Sequence, residues 1–142
     1  MKDLITTVAS ILLLMIFVSQ FVASQTVYSR MIQADRAVEV FRDRMKEDGR
    51  MTRENQGDLE ETLKKICHCE SREITIIGTE TVISRGNLIY YKICYPLKGQ
   101  IGAAAMLGIK ESENQRQHQE EGYVVSRFRV ETVTEEAPEG NG

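Results

Sequence analysis

The sequence lacks the features of several large functional classes. It has no cluster of basic residues, its net charge is −3, and Lys and Arg are interspersed among Asp and Glu, which argues against nucleic-acid binding. It contains no GxSxG, no HExxH and no phosphate-binding glycine loop. We therefore predict no catalytic residue, no cofactor and no small-molecule substrate. A chain of 142 residues with an apolar N-terminal segment leaves enough polypeptide for one modest core.

Cysteines are also few, at three, which is too low a number for a disulfide scaffold. Cys67 and Cys69 flank His68, but a C-x-C pair with the single distant Cys94 matches no standard zinc spacing, so we predict no metal site. In an exported domain, a disulfide from Cys67 or Cys69 to Cys94 would join the short helix to a hairpin. Free buried thiols are the alternative.

Charge is absent from Leu4 to Ser29, and the centre of this run is strongly apolar. A helix of this length can cross a hydrocarbon core about 30 Å thick, so we predict a transmembrane segment over residues 1–29. A cleaved secretory signal is the alternative, since Val22 and Ser24 occupy the −3 and −1 positions of a candidate cleavage site. The run is longer than a usual signal core, which favours a retained anchor.

The orientation of the segment follows from its position and its flanking charges. The positive-inside rule alone favours a cytoplasmic C-terminal domain, because Lys2 is outnumbered by Arg30, Arg36, Arg42 and Arg44. A segment so close to the N-terminus commonly acts as a signal anchor followed by an exported domain. We therefore expect a single-pass protein of the cell membrane with an extracytoplasmic C-terminal domain.

No Gly or Pro separates the apolar run from the charged stretch that follows it, which predicts one continuous helix with an amphipathic extension over residues 30–49. Gly49 is the predicted end of that helix. Spacings of three and four residues define a stripe that we predict to be a helix association seam. Its members are Phe17, Gln20, Ser24, Val27, Met31, Ala34, Val38, Phe41 and Met45.

Residues 50–134 are predicted to form a small α+β domain, and the acidic tail over residues 135–142 is predicted to be disordered. A short helix is expected to start with Asp58 as its N-cap, and its apolar face is predicted to comprise Leu59, Leu63, Ile66 and Cys67. Two strands flank residues 84–87 as a hairpin. A third strand is expected from Gly122 onward, with Val124, Phe128 and Val130 as its buried residues. The second strand should bury Ile89, Tyr91, Ile93, Tyr95 and Leu97. The stretch before Gly122 is expected to be a loop, whose apolar first half, from Ile101 to Ile109, is expected to cover the sheet. Contact with another subunit is the alternative for this apolar part.

The first 50 residues carry a family resemblance. An apolar run to Val22 followed by "QTVYSRMIQADRAVEVFRDRMKEDGRM", with a small antiparallel sheet after it, resembles the type IV pilin plan. More narrowly, it is similar to TadE/TadF-like minor pilins (pseudopilins) of tight-adherence, Flp-type systems and to related single-span membrane proteins of Gram-positive bacteria. The resemblance implies a non-enzymatic structural role in pilus assembly or secretion, with helices bundling against other pilin-like subunits or copies of the same chain. A membrane-anchored sensor or partner-binding module is the alternative.

Overall fold

A computed structural model describes residues 1–129, and its first element is a single helix, α1 (Lys2–Asp48), of 47 residues. At 1.5 Å per residue it is about 70 Å long. The predicted continuity across the end of the apolar run is confirmed. The helix ends where predicted, because Gly49 adopts a left-handed conformation with φ of 67° that closes the last turn.

The second helix, α2 (Arg53–Cys67), starts earlier than predicted. Thr52 is the N-cap, and its side-chain oxygen accepts a hydrogen bond from the Asn55 backbone N–H at 3.2 Å. Asp58 lies inside the helix and forms an ion pair with Arg44 at 2.6 Å, so its assignment as the N-cap was wrong. Gly57 is tolerated because it lies on an open side of the helix. The predicted apolar face is confirmed, with Leu59, Leu63 and Cys67 buried and Ile66 packed beside them.

Three antiparallel strands form the sheet, in the order β1 (Thr75–Gly78), β2 (Leu88–Lys98) and β3 (Gln115–Val125). A short 3₁₀ turn, Ser71–Glu73, joins α2 to β1. The five residues of β2 that were predicted to be buried are each at most 5% exposed, which confirms the prediction. They are Ile89, Tyr91, Ile93, Tyr95 and Leu97. Together these elements make the predicted α+β architecture, with both helices on one side of the sheet.

The first strand is shorter than predicted because the chain leaves the sheet after Gly78. The Thr79 carbonyl accepts a hydrogen bond from the Met51 N–H at 2.7 Å, and the Ile83 N–H donates to the Gly49 carbonyl at 2.8 Å. The segment after β1 is therefore bound to the linker between the two helices. A tight hairpin is replaced by a wider connection that holds the end of α1.

The third strand corrects a second prediction. It begins at Gln115, within the stretch expected to be a loop, and pairs with β2 along its whole length, from Lys98 opposite Gln115 to Leu88 opposite Val125. Val124 is buried as predicted, whereas Phe128 follows the strand and is half-buried. Val130 and the predicted tail over residues 135–142 lie outside the described residues.

The distal part of the apolar stripe faces the interior of the same chain. At most 2% of each of its four residues is exposed: Ala34, Val38, Phe41 and Met45. They belong to one core cluster with α2 and the inner face of β2. A side chain covered in this way cannot contact another subunit without unfolding, which corrects the prediction that these four residues form an intermolecular seam. Met31 and Val27, one and two turns before Ala34, are half-buried.

Candidate functional site

The proximal half of α1 carries most of the exposed large apolar side chains among the described residues. Its most apolar window of 18 residues has a mean hydropathy of 2.2 and none of that window is buried by the rest of the chain, so the helix is long and apolar enough to cross a membrane. Phe17 is 74% exposed, and Gln20 and Ser24 are also exposed. The structure therefore leaves the first three members of the predicted seam exposed and buries the last four.

Polar side chains in this half of the helix are satisfied locally. The hydroxyl of Ser24 donates to the Gln20 carbonyl at 2.9 Å, and four other hydroxyls donate in the same way to the carbonyl four residues earlier, those of Thr6, Thr7, Ser10 and Thr26. A hydroxyl bonded to its own helix does not need a partner on a neighbouring helix. The serines and threonines are therefore weak evidence for a polar seam.

Gln20 differs because its side chain bonds to a distant part of the chain. Its Nε2 donates to the Gln100 carbonyl at 3.1 Å, and its Oε1 accepts from the Gly102 N–H at 3.2 Å. These partners lie in the segment from Gly99 to Lys110 between β2 and β3, which we name the 99–110 loop. The predicted seam residue Gln20 therefore positions this loop against α1.

Asn114 closes the base of the 99–110 loop. Its Oδ1 accepts from the Ile101 N–H at 2.7 Å, its Nδ2 donates to the Ile101 carbonyl at 3.0 Å, and its own carbonyl accepts from the Gly99 N–H at 2.9 Å. Asn114 is only 8% exposed. A buried amide with both ends bonded fixes the two ends of the loop relative to each other.

A polar cluster lies between α1 and the sheet. Here β3 presents charged side chains, whereas the neighbouring strand β2 presents mostly apolar ones. Arg42 Nη1 lies 3.7 Å from Glu120 Oε1, and the guanidinium is 5.4 Å from the ring centre of Tyr91. The Tyr91 hydroxyl donates to the same carboxylate oxygen at 3.4 Å. Burial raises the pKa of Tyr91, which keeps this donor protonated at neutral pH.

Asp35 and His118 extend this cluster. One ligand-type atom from each of Asp35, His118 and Glu120 lies within 4.8 Å of the others, and these are residue types that bind divalent metal ions. The Arg42 cation next to Glu120 opposes a second cation there, and Asp35 is exposed. We interpret the cluster as a charge-balanced contact that holds α1 on β3.

Tyr95 borders the cluster and is fully buried, with its ring centroid 5.1 Å from that of His118. Burial, together with the nearby carboxylate of Asp35, raises the pKa of the Tyr95 hydroxyl. That hydroxyl has no hydrogen-bond partner among the described residues. Sequence reasoning missed His118 and Glu120 as a pair because their segment was interpreted as a loop. Their i, i+2 spacing places both on one face once the segment is recognised as a strand.

The three cysteines are free thiols, which is the alternative that the sequence left open to a disulfide. Cys67 and Cys69 belong to the core on the inner side of the sheet. Cys94 alternates with the buried residues Ile93 and Tyr95 and therefore points to the opposite face of β2. A bond from Cys67 to Cys94 would have to pass through the sheet, which the geometry of a disulfide does not permit.

Thiol reactivity follows from this arrangement. Burial raises the pKa of Cys67 to about 11, and burial also raises the pKa of Cys69. Since the thiolate is the reactive form, at pH 8 we expect iodoacetamide to alkylate Cys94 first and Cys67 last in the folded protein. Mass spectrometry of tryptic peptides over a time course measures the order. Equal rates for Cys67 and Cys94 in folded protein would contradict the placement of Cys67 in the core.

Comparison of the chain with protein-family models, with curated proteins and with solved structures found no match.

Proposed function

We propose that this protein is a membrane-anchored, non-enzymatic structural subunit, similar to a minor pilin, of a bacterial surface pilus or secretion assembly. The observation that carries the proposal is the division of α1. Its distal half is packed on the sheet of the same chain, whereas no residue in the most apolar window of its proximal half is buried. A flexible linker would be enough to tether a domain to a membrane. One rigid helix that continues from the apolar half into the domain fixes the position of the domain relative to the membrane, which a subunit of an assembly requires.

The corrected burial restricts where subunits can associate. Since the residues from Ala34 to Met45 on the stripe are covered, association through α1 falls on its proximal half. Large side chains that are well exposed in the middle of the apolar run include Leu13, Leu14, Phe17 and Phe21. In a bilayer, helices associate through close packing rather than through the hydrophobic effect. The proposed contact therefore lies inside the membrane, and the soluble domain is carried beside it.

Cross-linking in membranes tests this contact. We expect Phe17→Cys to give a disulfide-linked dimer on oxidation with copper phenanthroline, because the side chain is exposed at the middle of the apolar run. The unmodified chain, with its own three cysteines, is the first control. Val40→Cys is the matched control, since this residue is 55% exposed on the part of α1 outside the apolar run.

A dimer band for Phe17→Cys that exceeds those of both controls supports association through the proximal half. Equal bands for Phe17→Cys and Val40→Cys would indicate random collision and contradict it. Co-purification with other pilin-like subunits, identified by mass spectrometry after cross-linking, would connect the contact to an assembly. Recovery of the cross-linked chain alone would restrict the partner to a second copy.

Orientation is a separate part of the proposal, with the soluble domain outside the cell. Cys94 is a native reporter, because it lies on the outer face of the sheet. A membrane-impermeant maleimide should label it in intact cells. Labelling only after the cells are opened would place the domain in the cytoplasm, as the positive-inside rule alone favours.

A further inference from the structure

The 99–110 loop folds back along α1 toward the apolar half of the helix. Its closest approach is at Gly102, where an added Cβ would overlap the carbonyl oxygen of Ser19 and lie 3.0 Å from the Cβ of Ala23. Ser19 and Ala23 are small residues one turn apart, so they form a shallow site that admits another backbone. The glycine is required here by the close approach of two backbones rather than by its own dihedral angles.

The loop also supplies the polar contacts that an amide in an apolar helix requires. Both ends of the Gln20 side chain are bonded to loop backbone, at Gln100 and at Gly102. An unpaired amide in an apolar environment is strongly unfavourable, so Gln20 and the loop backbone satisfy each other. Arg30 adds a longer contact to the beginning of the loop, at 3.4 Å from its Nη1 to the Lys98 carbonyl.

The position of this contact relative to the bilayer follows from the length of the transmembrane span. This step rests on the proposed function, in which the proximal half of α1 crosses the membrane. About 20 helical residues cross a hydrocarbon core about 30 Å thick. Counted from the first residue of the uncharged run, Leu4, a span of that length ends near Ala23. Gly102 contacts α1 at Ser19 and Ala23, so the loop lies at the boundary between hydrocarbon and headgroups.

The chemistry of the loop suits that boundary. Residues 99–109 carry no charge, and Lys98 and Lys110 flank them. Ala103 and Ala104 are buried, whereas Met106 is 73% exposed and Leu107 is 59% exposed. The loop backbone is bonded internally, with the Leu107 N–H donating to the Ala103 carbonyl at 3.1 Å and the Ile109 N–H to the Ala104 carbonyl at 2.9 Å. Internal bonding of this kind is what a segment needs to enter an interface poor in water.

We propose that the 99–110 loop is a second membrane contact, which inserts Met106 and Leu107 into the interfacial region of the bilayer beside α1. The loop was expected from the sequence to cover the sheet. Two of its three alanines, Ala103 and Ala104, are buried, whereas the large side chains of Met106 and Leu107 are left exposed. With two contacts rather than one, the soluble domain is held at a fixed height and rotation about its anchor.

Tryptophan is absent from the chain, so a single introduced Trp is an unambiguous reporter. The full-length Met106→Trp variant is reconstituted in phosphatidylcholine–phosphatidylglycerol liposomes with and without lipids brominated on their acyl chains near the headgroup. We expect a blue-shifted emission that loses most of its intensity in the brominated liposomes. Leu107→Trp is the second variant and should behave in the same way.

Three controls make the result specific. Val40→Trp, on α1 well above the apolar run, should be unaffected by brominated lipid, and Phe17→Trp should be quenched by lipids brominated deeper in the chain. Gly102→Leu combined with Met106→Trp should reduce the quenching, since the added side chain displaces the loop from Ser19. Circular dichroism of each variant verifies that it is folded.

Each outcome decides one point. Quenching of Met106→Trp and Leu107→Trp above the Val40→Trp value supports insertion of the loop. Emission that is blue-shifted but not quenched would mean that protein, such as a second copy, covers the loop, and this overturns the proposal. Quenching of Phe17→Trp without quenching of the loop variants overturns the loop contact alone. Emission that is neither blue-shifted nor quenched, for Phe17→Trp as well as for both loop variants, overturns the transmembrane anchor itself.

Discussion

Val38→Asp is expected to unfold the soluble domain. Val38 is 1% exposed in the core that α1, α2 and β2 share, and the residues that form this core cluster are apolar. Burial of an unpaired charge costs several kcal/mol, and removal of the valine adds a packing loss, so a total of about 5 kcal/mol is the expected scale. Small domains are stable by only about 5–15 kcal/mol.

Limited trypsin digestion of the protein in detergent micelles measures this effect. The folded domain should protect the Arg and Lys residues of α2 and β2, and Val38→Asp should expose them to rapid cleavage. Val40→Asp is the matched control, because Val40 lies two residues away on the same helix and is 55% exposed. Equal digestion rates for the two variants would show that Val38 lies on a surface, as the intermolecular seam required.

The comparison with Val40 also explains why the sequence predicted the helix but not its partner. A stripe with spacings of three and four residues predicts an apolar helix face, and α1 has that face from Ala34 to Met45. The same pattern results whether the face packs on a sheet of its own chain or on a neighbouring helix. Only the three-dimensional position of α2 and the inner face of β2 decides between them.

The strand β3, by contrast, could not be predicted from its own sequence. Its first seven residues, from Gln115 to Glu121, are polar and lack the β-branched and aromatic residues from which strands are recognised. They form a strand because β2 offers a full ladder and because Arg42, Tyr91 and Tyr95 present polar or aromatic partners to Glu120 and His118. Local sequence carries no information about those partners, so the candidate polar cluster was not predictable.

The end of a helix was predictable only where a single residue was clearly the best candidate for the capping position. Gly49 ends α1 because no other residue adopts its conformation as easily, and the prediction there was correct. At the start of α2, Thr52 and Asp58 are both good N-caps by residue type. The contacts of the preceding linker favour Thr52, since Met51 is bonded to Thr79 and is thereby fixed outside the helix.

Gly49→Ala is expected to lower the stability of the domain by about 2–5 kcal/mol. A residue with a Cβ loses about 1–2 kcal/mol in the left-handed conformation that Gly49 adopts, with φ of 67°. The new methyl would also lie 2.7 Å from the Cβ of Phe128 and 2.8 Å from the Ile83 carbonyl oxygen, and overpacking of this kind costs about 1–3 kcal/mol. For a domain of this size the melting temperature should fall by roughly 10 °C or more.

Gly57→Ala provides the matched control with the opposite sign. Gly57 lies inside α2, and no atom outside its own turn would contact an added Cβ within 4 Å. Alanine should therefore raise the stability by about 0.5–1 kcal/mol through its higher helix propensity. Thermal unfolding followed by far-UV circular dichroism in one detergent compares both variants with the unmodified chain. Similar small shifts for both variants would contradict the close packing of Phe128 and Ile83 over the end of α1, because that packing is what distinguishes a glycine at a crowded helix end from one on an open helix face.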